Sequence, residues 1–156
     1  MNMENARSIE DCRDELRKIE TWINKNPLDS NVKFLVAYAV VKSSGTIEVV
    51  YKRIIHSFLS EGSKKETQSF LEKSIIDASS NPTTGLMEKY IEKFDSIRKE
   101  NFSNSLKNSQ EKTDLNSLVS LRNDIAHGRD ISVSISIVKK YYESGIKILN
   151  KLEDLL

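Results

Sequence analysis

The chain has 156 residues, 30% of them charged and 38% hydrophobic, with a formal net charge of +1. That length fits a single domain over residues 1–156 and can bury a core without disulfide or metal staples. Near-neutral charge gives no bulk attraction to nucleic acid, so any RNA contact would need a local patch.

Helical periodicity runs through nearly the whole sequence. Ile9, Cys12, Leu16, Ile19 and Ile23 recur at three and four residues, which predicts a helix over about 4–25. Asn26-Pro27 ends it, because a proline disfavours helical geometry at the residue before it. Asp29 or Ser30 is the expected cap of a second helix. That helix begins apolar on all sides, from Phe34 to Val41, and so is expected at the centre, surrounded by the others. Gly45 costs on the order of 1 kcal/mol inside a helix and marks a kink or a close approach of another backbone. The apolar pattern resumes through Val50, Ile54 and Phe58, ending near Ser60 before Gly62.

A short helix is expected over about 64–78, then a loop, "SSNPTTG", at 79–85. Leu86, Tyr90, Ile91, Phe94 and Ile97 stripe a helix to about Glu100. The polar segment 101–114 reads as a loop or a frayed extension. The next helix spans about 112–127, with Thr113 as its cap, followed by a connection at 128–134. Ser134 or Ser136 caps the last helix, striped by Val138, Tyr141, Gly145, Ile148, Leu149 and Leu152, with Tyr142 partly exposed. Residues 131–138 alternate as a strand would, but with no evident pairing partner the reading stays all-α: a bundle of about five to six helices.

Cys12 is the only cysteine, which excludes an internal disulfide and a thiolate zinc cage. With only His56 and His127, and no carboxylate cluster at ligand spacing, no metal site and no cofactor are expected. The polar, acidic N-terminus is unlike a signal peptide. The longest apolar run, 34–41, is less than half of the roughly 18 residues a membrane span needs. The expectation is a cytoplasmic protein with no membrane contact.

The segment "SLVSLRNDIAHGRD" at 117–130 carries the chemistry. On a helical wheel Leu115, Leu118, Val119, Leu121, Ile125 and Ala126 fill one arc of roughly 160°, with Arg122 near its centre. His127 lies about 140° away from Arg122, and Asn123 about 40° from His127. An arginine in an apolar arc needs a partner or an outlet. One reading pairs it with Glu48, which interrupts the apolar pattern of the second helix. The other places it at an interface groove, where its planar fork would hold an anion. His127 before Gly128 fits a helix C-terminus, where a histidine suits the negative end of the dipole. A structural cap and a catalytic group both remain open on chemistry alone. His56 reads as a packing or surface histidine, and Arg129 as the one other cation near the motif.

The string "LVSLRNDIAHG" at 118–128 resembles the signature of the HEPN families, in which an arginine and a polar residue precede a histidine four to six positions after the arginine. The likeness is to the stand-alone RNase-like or RNA-repair-associated branch, and "SSGTIEVVYKRII" at 43–55 looks like that branch's glutamate-bearing helix. The resemblance implies a HEPN-like four-helix core and a homodimer with motif helices facing each other. It further implies a metal-independent endoribonuclease of toxin or antiviral type acting on RNA, with an antitoxin or defence protein as partner. Arg122, Asn123 and His127 would then form the site, with Glu48 orienting Arg122 or His127. Some relatives are inactive, so a non-catalytic dimerisation or interaction module is the alternative. A nucleotide-binding role ranks third, since no glycine-rich phosphate loop is present.

Overall fold

The computed structural model describes residues 1–156 and is all-α. Seven α-helices take the place of the five to six expected: α1 Met3–Lys25, α2 Val32–Ser60, α3 Lys65–Leu71, α4 Thr84–Glu92, α5 Ser96–Ser105, α6 Gln110–Ala126 and α7 Ile135–Leu155. A π-helical turn, Glu72–Ile76, follows α3 directly. The core is four helices, α1, α2, α6 and α7, packed on one another. Outside it, α3 and the π turn lie on α2, while α4 and α5 pair and rest on α6 and α7.

The extra helix comes from a cap that the apolar stripe hides. The stripe from Leu86 to Ile97 breaks at Asp95, whose side chain accepts from the Arg98 backbone N–H at 2.9 Å and starts a new helix, α5. Segment 101–114 is therefore mostly helical, and Ser109, not Thr113, caps α6. Ser134 caps α7, and residues 128–134 form a connection with no strand. Gly45 does not interrupt α2, which runs unbroken for 29 residues.

Buried apolar side chains form one continuous cluster, with Cys12, Ile47, Val50, Tyr51, Leu115, Leu118, Ile148 and Leu149 almost without solvent contact. The tyrosine expectation is reversed: Tyr142 is fully buried and donates to the Ile9 carbonyl at 2.9 Å, while Tyr141 is only half-buried. Gly145 of α7 is where the backbone meets α2, since a Cβ there would lie 2.3 Å from Ile47 Cδ1. α2 also departs from expectation. It is not surrounded, for Phe34, Tyr38, Val41 and Val49 stay exposed along one face. It is, moreover, long and apolar enough by length and composition to cross a membrane, which the run-length reading missed.

Asp114 ties α6 to α7. Its carboxylate is 2% exposed and accepts from Ser144 Oγ at 2.8 Å and Gln110 Nε2 at 2.8 Å, with Lys140 Nζ at 3.4 Å. Burial alone would push the carboxyl up, but these donors together hold it below the ordinary carboxylate range. A depressed carboxyl stabilises the fold above its unfolded value and loses that contribution as pH falls through its folded value. Asp114→Asn is therefore expected to cost about 1–3 kcal/mol at neutral pH. In urea titrations the gap between variant and wild type should close below about pH 4.

Candidate active site

The last turns of α6 leave the core. Leu115, Leu118 and Val119 are buried, Leu121, Arg122 and Ile125 are half-buried, and Ala126 and His127 are exposed. Arg122 thus sits where the apolar arc opens to solvent, and its guanidinium needs no carboxylate to be tolerated there. Its Nη1 donates to Asn81 Oδ1 at 3.2 Å and to Asn123 Oδ1 at 3.4 Å. Both partners are neutral amides, so the full positive charge of Arg122 is left uncompensated.

Arg122 faces an open cleft of about 500 Å³. Its walls carry Lys89 and Tyr90 from α4, Thr83 and Leu86 at the start of that helix, and Ser79, Ser80 and Asn81 from the preceding loop. Two cations, an aromatic ring and several hydroxyls line it, and no carboxylate does. Such a surface attracts an anion, while the Tyr90 ring carries Lys93 Nζ over one face at 4.7 Å and packs 6.2 Å from the Tyr51 ring.

Glu48 does not pair with Arg122, contrary to one of the two readings of the sequence. Its Oε1 accepts from Lys52 Nζ at 2.7 Å, one helical turn along α2, and from the Ser80 backbone N–H at 3.2 Å and Ser80 Oγ at 3.3 Å. Lys52 is 6% exposed and donates to the Ala78 and Ile76 carbonyls. The ion pair therefore pins residues 76–80 to α2, and Asn81, next in the chain, meets Arg122. Tyr51 adds a hydroxyl contact to Ser80, and burial pushes its phenol up to about 12. Glu48 reaches Arg122 only through this loop.

His127 ends α6. Gly128, at φ 70°, takes the left-handed position, donating to the Ile125 carbonyl at 3.0 Å, and the Arg129 N–H donates to the Asp124 carbonyl at 2.8 Å. This is a Schellman ending, and it frees the imidazole from backbone duty. The His127 side chain is exposed, makes none of the fold's side-chain hydrogen bonds and does not line the Arg122 cleft. Arg129 stays near the motif, where it pairs with Asp124 at 3.0 Å. One copy of the chain thus brings Arg122, Asn123 and Asn81 together, ties Glu48 to their supporting loop, and leaves His127 round the helix. His56 lies elsewhere on the surface of α2, 3.3 Å from Glu72. No three side chains of His, Cys, Asp or Glu are grouped to hold a metal ion.

A family model described as RiboL-PSP-HEPN matches residues 7–156. The chain belongs to this HEPN family. No curated protein and no solved structure matches it significantly. Within the HEPN chain, sequence reasoning missed Asn81, Lys89 and Tyr90. Only the Asn-Pro step at 81–82 hinted that the loop holds a fixed shape.

Breaking the Glu48–Lys52 pair should unfix the loop. Lys52→Met leaves a mostly buried carboxylate without its cation and is expected to cost about 3 kcal/mol, read as a lower urea midpoint. The Glu48→Leu/Lys52→Met double variant should recover part of that loss, because no unpaired charge remains.

Proposed function

We propose that this HEPN protein is a metal-independent endoribonuclease of the toxin or antiviral-defence kind. On this reading it acts in the cytoplasm, with an active site shared by two copies and an antitoxin or defence protein to restrain it. The observation that carries the reading is Arg122. A half-buried guanidinium held by two amide oxygens, with no acid beside it, opens on a cleft that also holds Lys89 and Tyr90. That arrangement suits a phosphodiester.

The reaction is transesterification. A base takes the proton of a ribose 2′-OH, the 2′-oxygen bonds to the adjacent phosphorus, and the bond to the 5′-oxygen breaks. The departing oxygen collects a proton and leaves as a 5′-OH end, opposite a 2′,3′-cyclic phosphate. The His127 imidazole is the proton carrier, and Arg122 offsets the charge that builds on the phosphorane. Asn123 fixes the guanidinium through its Oδ1, and Glu48 is a positioning residue acting through Ser80 and Asn81. Arg122 and His127 lie about 140° apart around α6, so a second copy supplies the imidazole that each Arg122 cleft lacks.

A second reading, a non-catalytic interaction module, draws on the same separation of His127 from the cleft. Cleavage assays in chelator distinguish the two. Wild type is expected to cut single-stranded RNA in EDTA, leaving 2′,3′-cyclic phosphate and 5′-OH ends. His127→Ala and Arg122→Ala should each lose at least about 100-fold in rate while melting within about 3 °C of wild type. Lys89→Ala should raise KM severalfold with kcat retained. Folded wild-type protein that leaves a broad RNA panel uncut supports the module.

A further inference from the structure

The segment after α6 has the pattern of a strand and pairs with nothing. From Ile131 to Ile137 every second residue is isoleucine or valine, and each residue between is serine. Such alternation of β-branched and polar side chains suits a half-buried strand. In the folded chain α7 takes up the second half, from Ile135, and the first half stays outside any helix. Its side chains still alternate: Ile131 and Val133 pack on the core, while Ser132 and Ser134 are exposed. The Arg129 N–H closes the end of α6, and the Ser134 carbonyl accepts the first bonds of α7. Residues 130–133, between them, neither donate nor accept a backbone hydrogen bond. Since N–H and C=O groups of successive residues in an extended chain point to opposite edges, each edge carries two residues with both groups free.

A groove of about 610 Å³ runs beside this segment. Residues 131–134 line one side of it, and the first turns of α2 line the other through Val32, Lys33 and Val36. Ile137, 41% exposed, adds an apolar side chain from the start of α7. Only two charged side chains reach the groove, Asp29 and Lys33. The Asp29 carboxylate is engaged, accepting from the Asn31 backbone N–H at 2.7 Å. The Lys33 ammonium lies over the Phe34 ring at 4.9 Å and meets no carboxylate. The groove thus combines apolar walls, an open strand edge and one uncompensated cation.

We propose that this groove takes up an extended peptide of another protein, which pairs with residues 130–133 as an added β-strand. The free backbone row selects the occupant's conformation: a helix has already paired its own N–H and C=O groups, whereas an extended chain needs partners for them. Val32, Val36 and Ile137 receive apolar side chains from every second position of the peptide, and Lys33 receives an aspartate or glutamate. The added strand lies just past Gly128, at the His127 end of α6. The inference does not rest on RNA cleavage: an inactive chain leaves it standing.

A phage-displayed library of random linear peptides, panned on the full chain, supplies the probe. Selected peptides are expected to share apolar residues at alternate positions with an acidic residue among them. Amide hydrogen exchange then reads the pairing. In the free chain the amides of 130–133 should exchange without protection, and the synthetic peptide should slow two alternate ones at least about tenfold. Methylating the peptide nitrogens that face the segment should weaken binding about tenfold, and methylating the intervening ones should not. Ile137→Asp, at an exposed position, should keep its melting temperature and lose the peptide, and Lys33→Glu should bind it severalfold more weakly. A library that yields no binder, a peptide that leaves 130–133 unprotected, or an Ile137→Asp protein that binds as well as wild type would overturn the proposal. Amides of 130–133 already protected in the free chain, at the mass of two chains, would overturn it in favour of a second copy as the occupant.

Discussion

The position of Arg122 depends on an ion pair that never touches it. Lys52, nearly buried on α2, holds the Glu48 carboxylate on one side and two carbonyls of the 76–78 backbone on the other. Glu48 in turn accepts from Ser80. With both ends of a short segment fixed to α2, Asn81 has little freedom, and its amide oxygen is delivered to the guanidinium. Exposed ion pairs elsewhere on the chain, such as Arg7–Asp11, are worth little to stability. This one specifies where a loop lies, and the cleft is built on that loop.

The same economy of partners appears at the end of α6. A carboxylate beside Arg122 would have made a stronger pair, and it would have cancelled the charge that an anion must meet. Two amide oxygens orient the guanidinium and leave the charge in place. At His127 the backbone closes through Gly128 and Arg129, so the imidazole is not needed as a cap. Arg122 is thus held in position with its charge uncancelled, and the His127 side chain is left without a hydrogen bond inside the chain.

Much of the fold follows from periodicity, because an amphipathic helix writes its buried face at three- and four-residue spacing. The α1 stripe, the α7 stripe and Arg122 in its arc are all legible this way, and so is Glu48 as an anomaly. Its partner is the nearest cation one turn on, Lys52, which the local i,i+4 rule points to and a search for a distant arginine passes over. Asn81, Lys89 and Tyr90 are a different matter. They come from a loop and a short helix some thirty to forty residues before Arg122 in sequence, and no pattern along the chain encodes which loop a helix end will meet. Asp95 is hidden for a simpler reason, since an apolar stripe can continue across a break that only a cap reveals, and Ser109 because it lies in a polar segment that reads as a loop.

The apolar character of α2 is the remaining clue, and it reads differently at each level. As a sequence, apolar residues on every side mean a helix enclosed by others. In the folded chain, α1, α6 and α7 enclose most of it, the segment after α3 covers part of the rest, and Phe34, Tyr38, Val41 and Val49 stay exposed. Those four side chains are the part of the pattern that burial within the chain does not explain. The motif divides in a similar way: Arg122 faces the cleft while the exposed His127 lies outside its lining, so a helix that reads as one stripe in sequence presents its last turn to two surfaces.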